Sequence, residues 1–134
     1  MTTEAVEKYR QSPACSIDIL DVPHLEWGLS AYRPRGGVPD SVERYISPAN
    51  HPFRLQTPLF IESGGLEGFY EYNRKFVEQM AGVEGNRVRF HTTTDMPHDV
   101  FLMHPVLDTK AEACTLLEEA RRFLDEATAR DNTR

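Results

Sequence analysis

The order in which hydrophobic periods follow one another between Pro58 and Ala127 constrains this chain more than any other property of its sequence. Leu59, Phe60 and Ile61 form a continuous apolar run, as expected of a parallel strand covered on both faces. Gly64-Gly65 ends it. Phe69, Tyr72, Phe76, Val77 and Met80 then recur at helical spacing, which predicts an amphipathic helix over about 68–81. Gly82 stops that helix and Gly85-Asn86 turns the chain. Arg87 to Thr93 alternates polar and apolar residues, the pattern of a half-buried strand near a sheet edge. Ala113, Leu116, Leu117, Ala120, Phe123 and Leu124 make a second helical stripe, opened by a capping-box spacing at Thr109 and Glu112. Strand, helix, strand, helix predicts an α/β fold in which two parallel strands are joined by a right-handed crossover.

The residues before Pro58 have no such order. Thr3 is placed to cap a helix to about Arg10, and Ser12 to Val22 has no clean period. Pro23 to Tyr32 carries Leu25, Trp27, Leu29 and Tyr32, which predicts a short amphipathic helix opened by its proline. Arg33 to Pro39 is a loop by its prolines and glycines. Asp40 and Glu43 have capping-box spacing for a short helix through about Ile46, and Ser47 to Thr57 is extended linker. The chain thus divides into a helical and loop region with its linker over 1–57, an α/β unit over 58–127, and a frayed tail over 128–134.

A length of 134 residues suits one domain. The formal net charge of −6 argues against a nucleic-acid partner, because a phosphate-binding surface needs clustered Lys and Arg. No apolar run approaches the roughly 18 residues of a membrane span, and no apolar stretch follows a basic start as in a signal peptide. Cys15 and Cys114 are the only cysteines, without a C-x-x-C for zinc or redox work. Two free thiols are expected, and with them a cytoplasmic location. No cofactor and no metal site is expected: His91, Asp95 and His98 can be drawn together, but not at a zinc-type spacing.

Two short segments follow the two strands. After the first comes Gly64-Gly65-Leu66-Glu67, and after the second Pro97-His98-Asp99. In open parallel sheets functional groups gather at the carboxyl ends of strands, so Glu67 and His98 are placed to meet at one rim. A carboxylate accepting from one imidazole nitrogen fixes the tautomer and stabilises the imidazolium formed when the other nitrogen takes a proton. Glu67 and His98 are therefore the candidate catalytic residues, as orienter and general base. His24, His51 and His104 read as structural, the last with Pro105 in the loop before the C-terminal helix; His91, inside the second strand, reads as a partner or surface residue. Trp27, Phe53, Phe101 and Leu102 are candidates to line an apolar pocket, or simply to pack.

Tyr45-Ile46-Ser47-Pro48, His51-Pro52-Phe53, Leu55, Thr57-Pro58, Gly64 to Glu67 and Met96 to Asp99 resemble the C-terminal part of α/β-hydrolases. The similarity is to the hormone-sensitive-lipase-like esterases, the fold-3 group, and covers about residues 40–127. It implies Glu67 as triad acid, His98 as triad base, residues 1–57 as cap-like, and a small-molecule ester as substrate of the intact enzyme. The family's G-x-S-x-G nucleophile elbow and H-G-G oxyanion segment have no counterpart. The nearest approach, Gly28-Leu29-Ser30-Ala31-Tyr32, lacks the last glycine and follows no strand. The resemblance therefore implies the tail of a longer or truncated carboxylic-ester hydrolase, inactive by itself. The alternative is a noncatalytic interaction module, docking its open sheet edge on a second copy or on the N-terminal half of a split hydrolase.

Overall fold

β1 (Leu59–Gly64) and β2 (Val88–Thr93) pair in parallel, with Leu59 opposite Val88 and Gly64 opposite Thr93. The structure is a computed structural model and describes residues 2–33, 36–46 and 48–131. Both strands lie within a residue of their expected limits. Because side chains alternate across a strand, the register sorts the sheet into two faces. Leu59, Ile61 and Ser63 share one face with Val88, Phe90 and Thr92, while Phe60 and Glu62 share the other with Arg89 and His91.

Each face is covered by helix. α4 (Tyr70–Ala81) lies on the first, where the Tyr70 ring packs on Phe90 at 5.8 Å and Asn73 reaches Ser63. Met80 closes that side and is fully buried. The long C-terminal helix, α6 (Lys110–Asp131), lies on the second face. There Phe123 meets Phe60 at 5.9 Å, Arg89 lies over the Phe123 ring, and Arg87 donates to the Ala127 carbonyl at 2.6 Å. The parallel pair is thus sandwiched between helical layers, as the strand–helix–strand–helix order predicts. Among the described residues no helix is long and apolar enough to cross a membrane.

A further helix, α5 (Val100–Leu107), occupies what the sequence reads as the loop holding His104 and Pro105. Interior proline argues against a helix, since it removes one backbone donor. Here caps at both ends offset that loss. Asp99 takes the left-handed conformation and accepts the Leu102 N–H at 3.1 Å, and Asp108, also left-handed, closes the far end. Val100 is wholly buried with Met96, Ala113 and Leu116 against Phe60.

The N-terminal region has its own small core. α1 (Thr3–Gln11) and α2 (Val22–Tyr32) bury Val6, Tyr9, Val22 and Leu25 together, joined by a 3-10 turn at Pro13–Ser16. The caps differ from expectation by a residue or two: Thr2 caps α1 through the Ala5 N–H, and Asp21 caps α2 through the His24 N–H. α3 (Asp40–Ile46) forms where expected, with the N–H groups of Val42 and Glu43 bonded to the Pro39 carbonyl. At Thr109 the hydroxyl is buried and unpartnered, so the capping box proposed for α6 is not made. The linker is not free either. Asn86 holds it, accepting from Leu55 N–H and donating to the carbonyls of Phe53 and Met80. Helix α6 continues through residues 128–131, which the sequence assigns to a frayed tail. The expected loop residues Pro34 and Arg35, linker residue Ser47 and tail residues 132–134 lie outside the described residues.

Only part of the α6 stripe is core. Leu116 is 1% exposed and its neighbour Leu117 is 58% exposed. Leu116→Ala should lose about 2–5 kcal/mol of stability through the cavity it leaves, and Leu117→Ala about 0.5 kcal/mol or less. Urea unfolding of the two variants separates these outcomes, and equal losses would refute the packing described.

Candidate active site

The loops that leave the two strands are stitched together by main chain. Gly65 N–H donates to the Thr93 carbonyl and Leu66 N–H to the Met96 carbonyl, both at 2.9 Å. Gly64 is required here: a Cβ at that position would run into the carbonyl oxygens of Met96 and Pro97. The turn after β2 needs a left-handed residue, and Asp95 supplies it at φ 60°. Aspartate tolerates that region better than most side chains.

Within these loops Glu67 and His98 meet as the sequence predicts. His98 Nδ1 donates to Glu67 Oε1 at 2.9 Å. A carboxylate can only accept, so the proton on Nδ1 follows from the partner. Glu67 is 7% exposed and its other contacts hold it in place: Ser63 Oγ donates to Oε2 at 2.6 Å, and Asn73 Nδ2 to Oε1 at 3.2 Å. Asn73 also donates to Ser63 Oγ, which closes the network. A buried carboxylate stays ionised at modest cost only with such donors around it. Among the described residues no side chain bonds Nε2, and His98 lines an open hollow of about 360 Å³ with Glu62, Phe69 and Asp99.

Electrostatics around the imidazole are one-sided. The hydrogen bond that His98 donates to Glu67 holds the imidazole above the ordinary histidine value, burial opposes that, and the charges of Glu67, Asp18 and Asp99 add to it. Glu62, bonded by the Thr93 hydroxyl at 2.9 Å, is held above the usual carboxylate range chiefly by burial, with Glu67 and Asp99 repelling its charge. Phe69 and Asn73 also line a mainly apolar cavity of about 310 Å³, bounded by Ala5, Pro48, Tyr72 and Phe76.

Other candidates fall elsewhere. Ser30 sits inside α2 and donates to the Trp27 carbonyl at 2.9 Å, so it occupies no strand-to-helix elbow. His91 stacks on Phe60, His24 is exposed beside Trp27, His51 lies by Phe53 on the surface, and His104 is in α5. Among the described residues no group of three or more His, Cys, Asp or Glu could hold a metal ion. Trp27, Phe53, Phe101 and Leu102 are all exposed; Phe53 lines an open hollow of about 730 Å³ with Tyr45 and Pro52, and none of the four lines the cavity that Phe69 bounds. Sequence reasoning missed the supports. Ser63 and Asn73 carry a readable signal, the last inward residue of a strand and the second turn of the following helix. Asp18 carries none: it accepts the Gly68 N–H at 2.8 Å and the His98 N–H at 3.3 Å from 50 and 80 residues away.

The raised basicity of His98 has a signed consequence for stability. Protonation of the folded imidazole contributes fully below about pH 6.5, the unpaired value, and that contribution is lost as pH rises through the higher folded midpoint. Proton NMR should place the His98 midpoint above that of an unpaired histidine and lower it in Glu67→Gln. The same variant should lose more stability at pH 5.5 than at pH 8.5; the reverse order would contradict the pairing.

Compared with known proteins, the chain matches no family model, no curated protein and no solved structure.

Proposed function

We propose that the chain carries the acid and base of a carboxylic-ester hydrolase site whose serine and oxyanion donors come from another segment or another chain. One observation supports this reading above the rest: Glu67, fixed by Ser63 and Asn73, accepts from His98 Nδ1 at the carboxyl ends of two parallel strands. That bond leaves Nε2 to take a proton. His98 would remove it from a serine hydroxyl attacking the ester carbonyl and return it to the departing alcohol, while Glu67 stabilises the imidazolium between. Two N–H groups of that other segment or chain would hold the oxyanion. The apolar cavity beside Phe69 fits an acyl substituent rather than a charged one. Among the described residues, neither Ser30, which is helical, nor Ser63, which is wholly buried on Glu67, is offered to His98. The chain alone therefore lacks an acyl-enzyme route. Free Cys15 and Cys114 fit a reducing cytosol, where we place it.

A second reading rests on a different observation. The sheet has only the order β1–β2 among the described residues, and Val106, Trp27 and Leu102 stand well exposed. A two-stranded sheet with apolar surface suits a module that docks on a hydrolase half or on its own copy without doing chemistry.

Reconstitution tests both. The chain would be mixed with an esterase segment that carries G-x-S-x-G and H-G-G but stops before its own acid-bearing strand. Complex formation is followed by size exclusion, and activity with a short-chain p-nitrophenyl ester. The catalytic reading expects hydrolysis that falls about 100-fold or more with His98→Ala and less steeply with Glu67→Gln, and none from the chain alone. A complex that forms and stays inert would leave the docking reading standing.

A further inference from the structure

We propose that Asp18 is a positioning residue for the acid–base pair, and that through it the N-terminal helices set how Glu67 and His98 meet. The inference rests on the acid–base reading of those two residues. Asp18 lies between the 3-10 turn and the cap of α2, outside both strands and both loops of the site. One of its carboxylate oxygens accepts the N–H of Gly68, the residue next to Glu67, and the other accepts the N–H of His98 itself. A single rigid fork therefore fixes the main chain at each member of the pair. Hydrogen bonds to a charged acceptor are stronger than neutral ones, so the Gly68 bond at 2.8 Å is the firm arm of this tie and the His98 bond at 3.3 Å the looser one.

The tie is anchored from behind. Asp18 N–H donates to the Ala14 carbonyl at 2.8 Å, which holds the carboxylate's own backbone. Tyr9, the fully buried centre of the N-terminal core, presses its ring on Gly68 so closely that a Cβ there would collide with it. Its hydroxyl donates to the Leu20 carbonyl at 2.6 Å. Burial first, and then the charge of Asp18, hold Tyr9 far above the ordinary tyrosine value, so it stays neutral beside the carboxylate. The loop carrying Glu67 is thus gripped by Tyr9 through packing and by Asp18 through Gly68 N–H.

Asp18 also adds charge near His98, together with Glu67, Asp99 and Glu62, so a change in basicity alone does not distinguish position from field. A double-mutant cycle does. The His98 titration midpoint would be followed by NMR in the wild-type chain, Glu67→Gln, Asp18→Asn and the double variant. If Asp18 positions the pair, Glu67→Gln lowers the midpoint in the wild-type background and by about half that or less beside Asp18→Asn. Equal lowering in both backgrounds would reduce Asp18 to a background charge and overturn the proposal. Should Asp18→Asn fail to fold by circular dichroism, the wild-type chain decides alone. The Gly68 and His98 amide proton shifts must then move together with the titration of the Asp18 carboxyl, observed by carbon NMR, and amides indifferent to it would refute the tie. Neither readout uses an ester, so an inert reconstituted hydrolase beside a positive cycle would sink the catalytic reading and leave this coupling intact.

Discussion

The parallel pairing of β1 with β2 is the constraint on which everything else in this structure depends. Parallel strands deliver their exits at one end of the sheet, here with Gly64 directly opposite Thr93. Had the same strands run antiparallel, Glu67 and His98 would lie a strand length apart, about 17–20 Å. Pairing in this register also places Gly65 and Leu66 within reach of the Thr93 and Met96 carbonyls, which locks the two exit loops into one unit. A parallel pair is marginal by itself, so the site is only as firm as the helical layers that cover the sheet. Met80 on one side, and Val100 with Leu116 on the other, provide that cover.

Three acids besides Glu67 surround a single imidazole: Asp18, Glu62 and Asp99. Together they favour the imidazolium. For the proposed proton transfer, that suits stabilisation of the imidazolium and works against a base that must begin neutral. Burial of His98 pulls the other way. The donors from Ser63 and Asn73 do something different for Glu67: directed hydrogen bonds fix its geometry, whereas the surrounding charge only shifts the basicity of His98.

Much of the fold could be read in advance because it is local. Both strands and α4 follow from hydrophobic period and glycine punctuation, which report what each segment buries within a few residues. The misses share one physical cause. α5 depends on caps from Asp99 and Asp108 that outweigh Pro105, and Leu117 and Leu124 repeat with the α6 core while standing outside it. Propensity and period say that a face is apolar. They do not say how far the neighbouring layer extends over it. Thr109 shows the same limit, since its spacing from Glu112 is right and its hydroxyl is nevertheless unpartnered.

The site divides along the same line. Sequence alone determined that an acid and a histidine follow consecutive strands of an α/β unit, because strand order and strand polarity are written in short-range pattern. It also showed no strand before Ser30, which argues against an elbow there; the helix that holds Ser30 excludes one. Tertiary structure alone decided that Glu67 is buried under Ser63 and Asn73, and that the apolar wall is Phe69 and Phe76 rather than Trp27 or Phe101. It alone decided that Asp18 reaches both loops. Contacts across 50 and 80 residues leave no trace in local period, because a carboxylate that accepts two backbone N–H groups needs a place in space and not a neighbour in the chain.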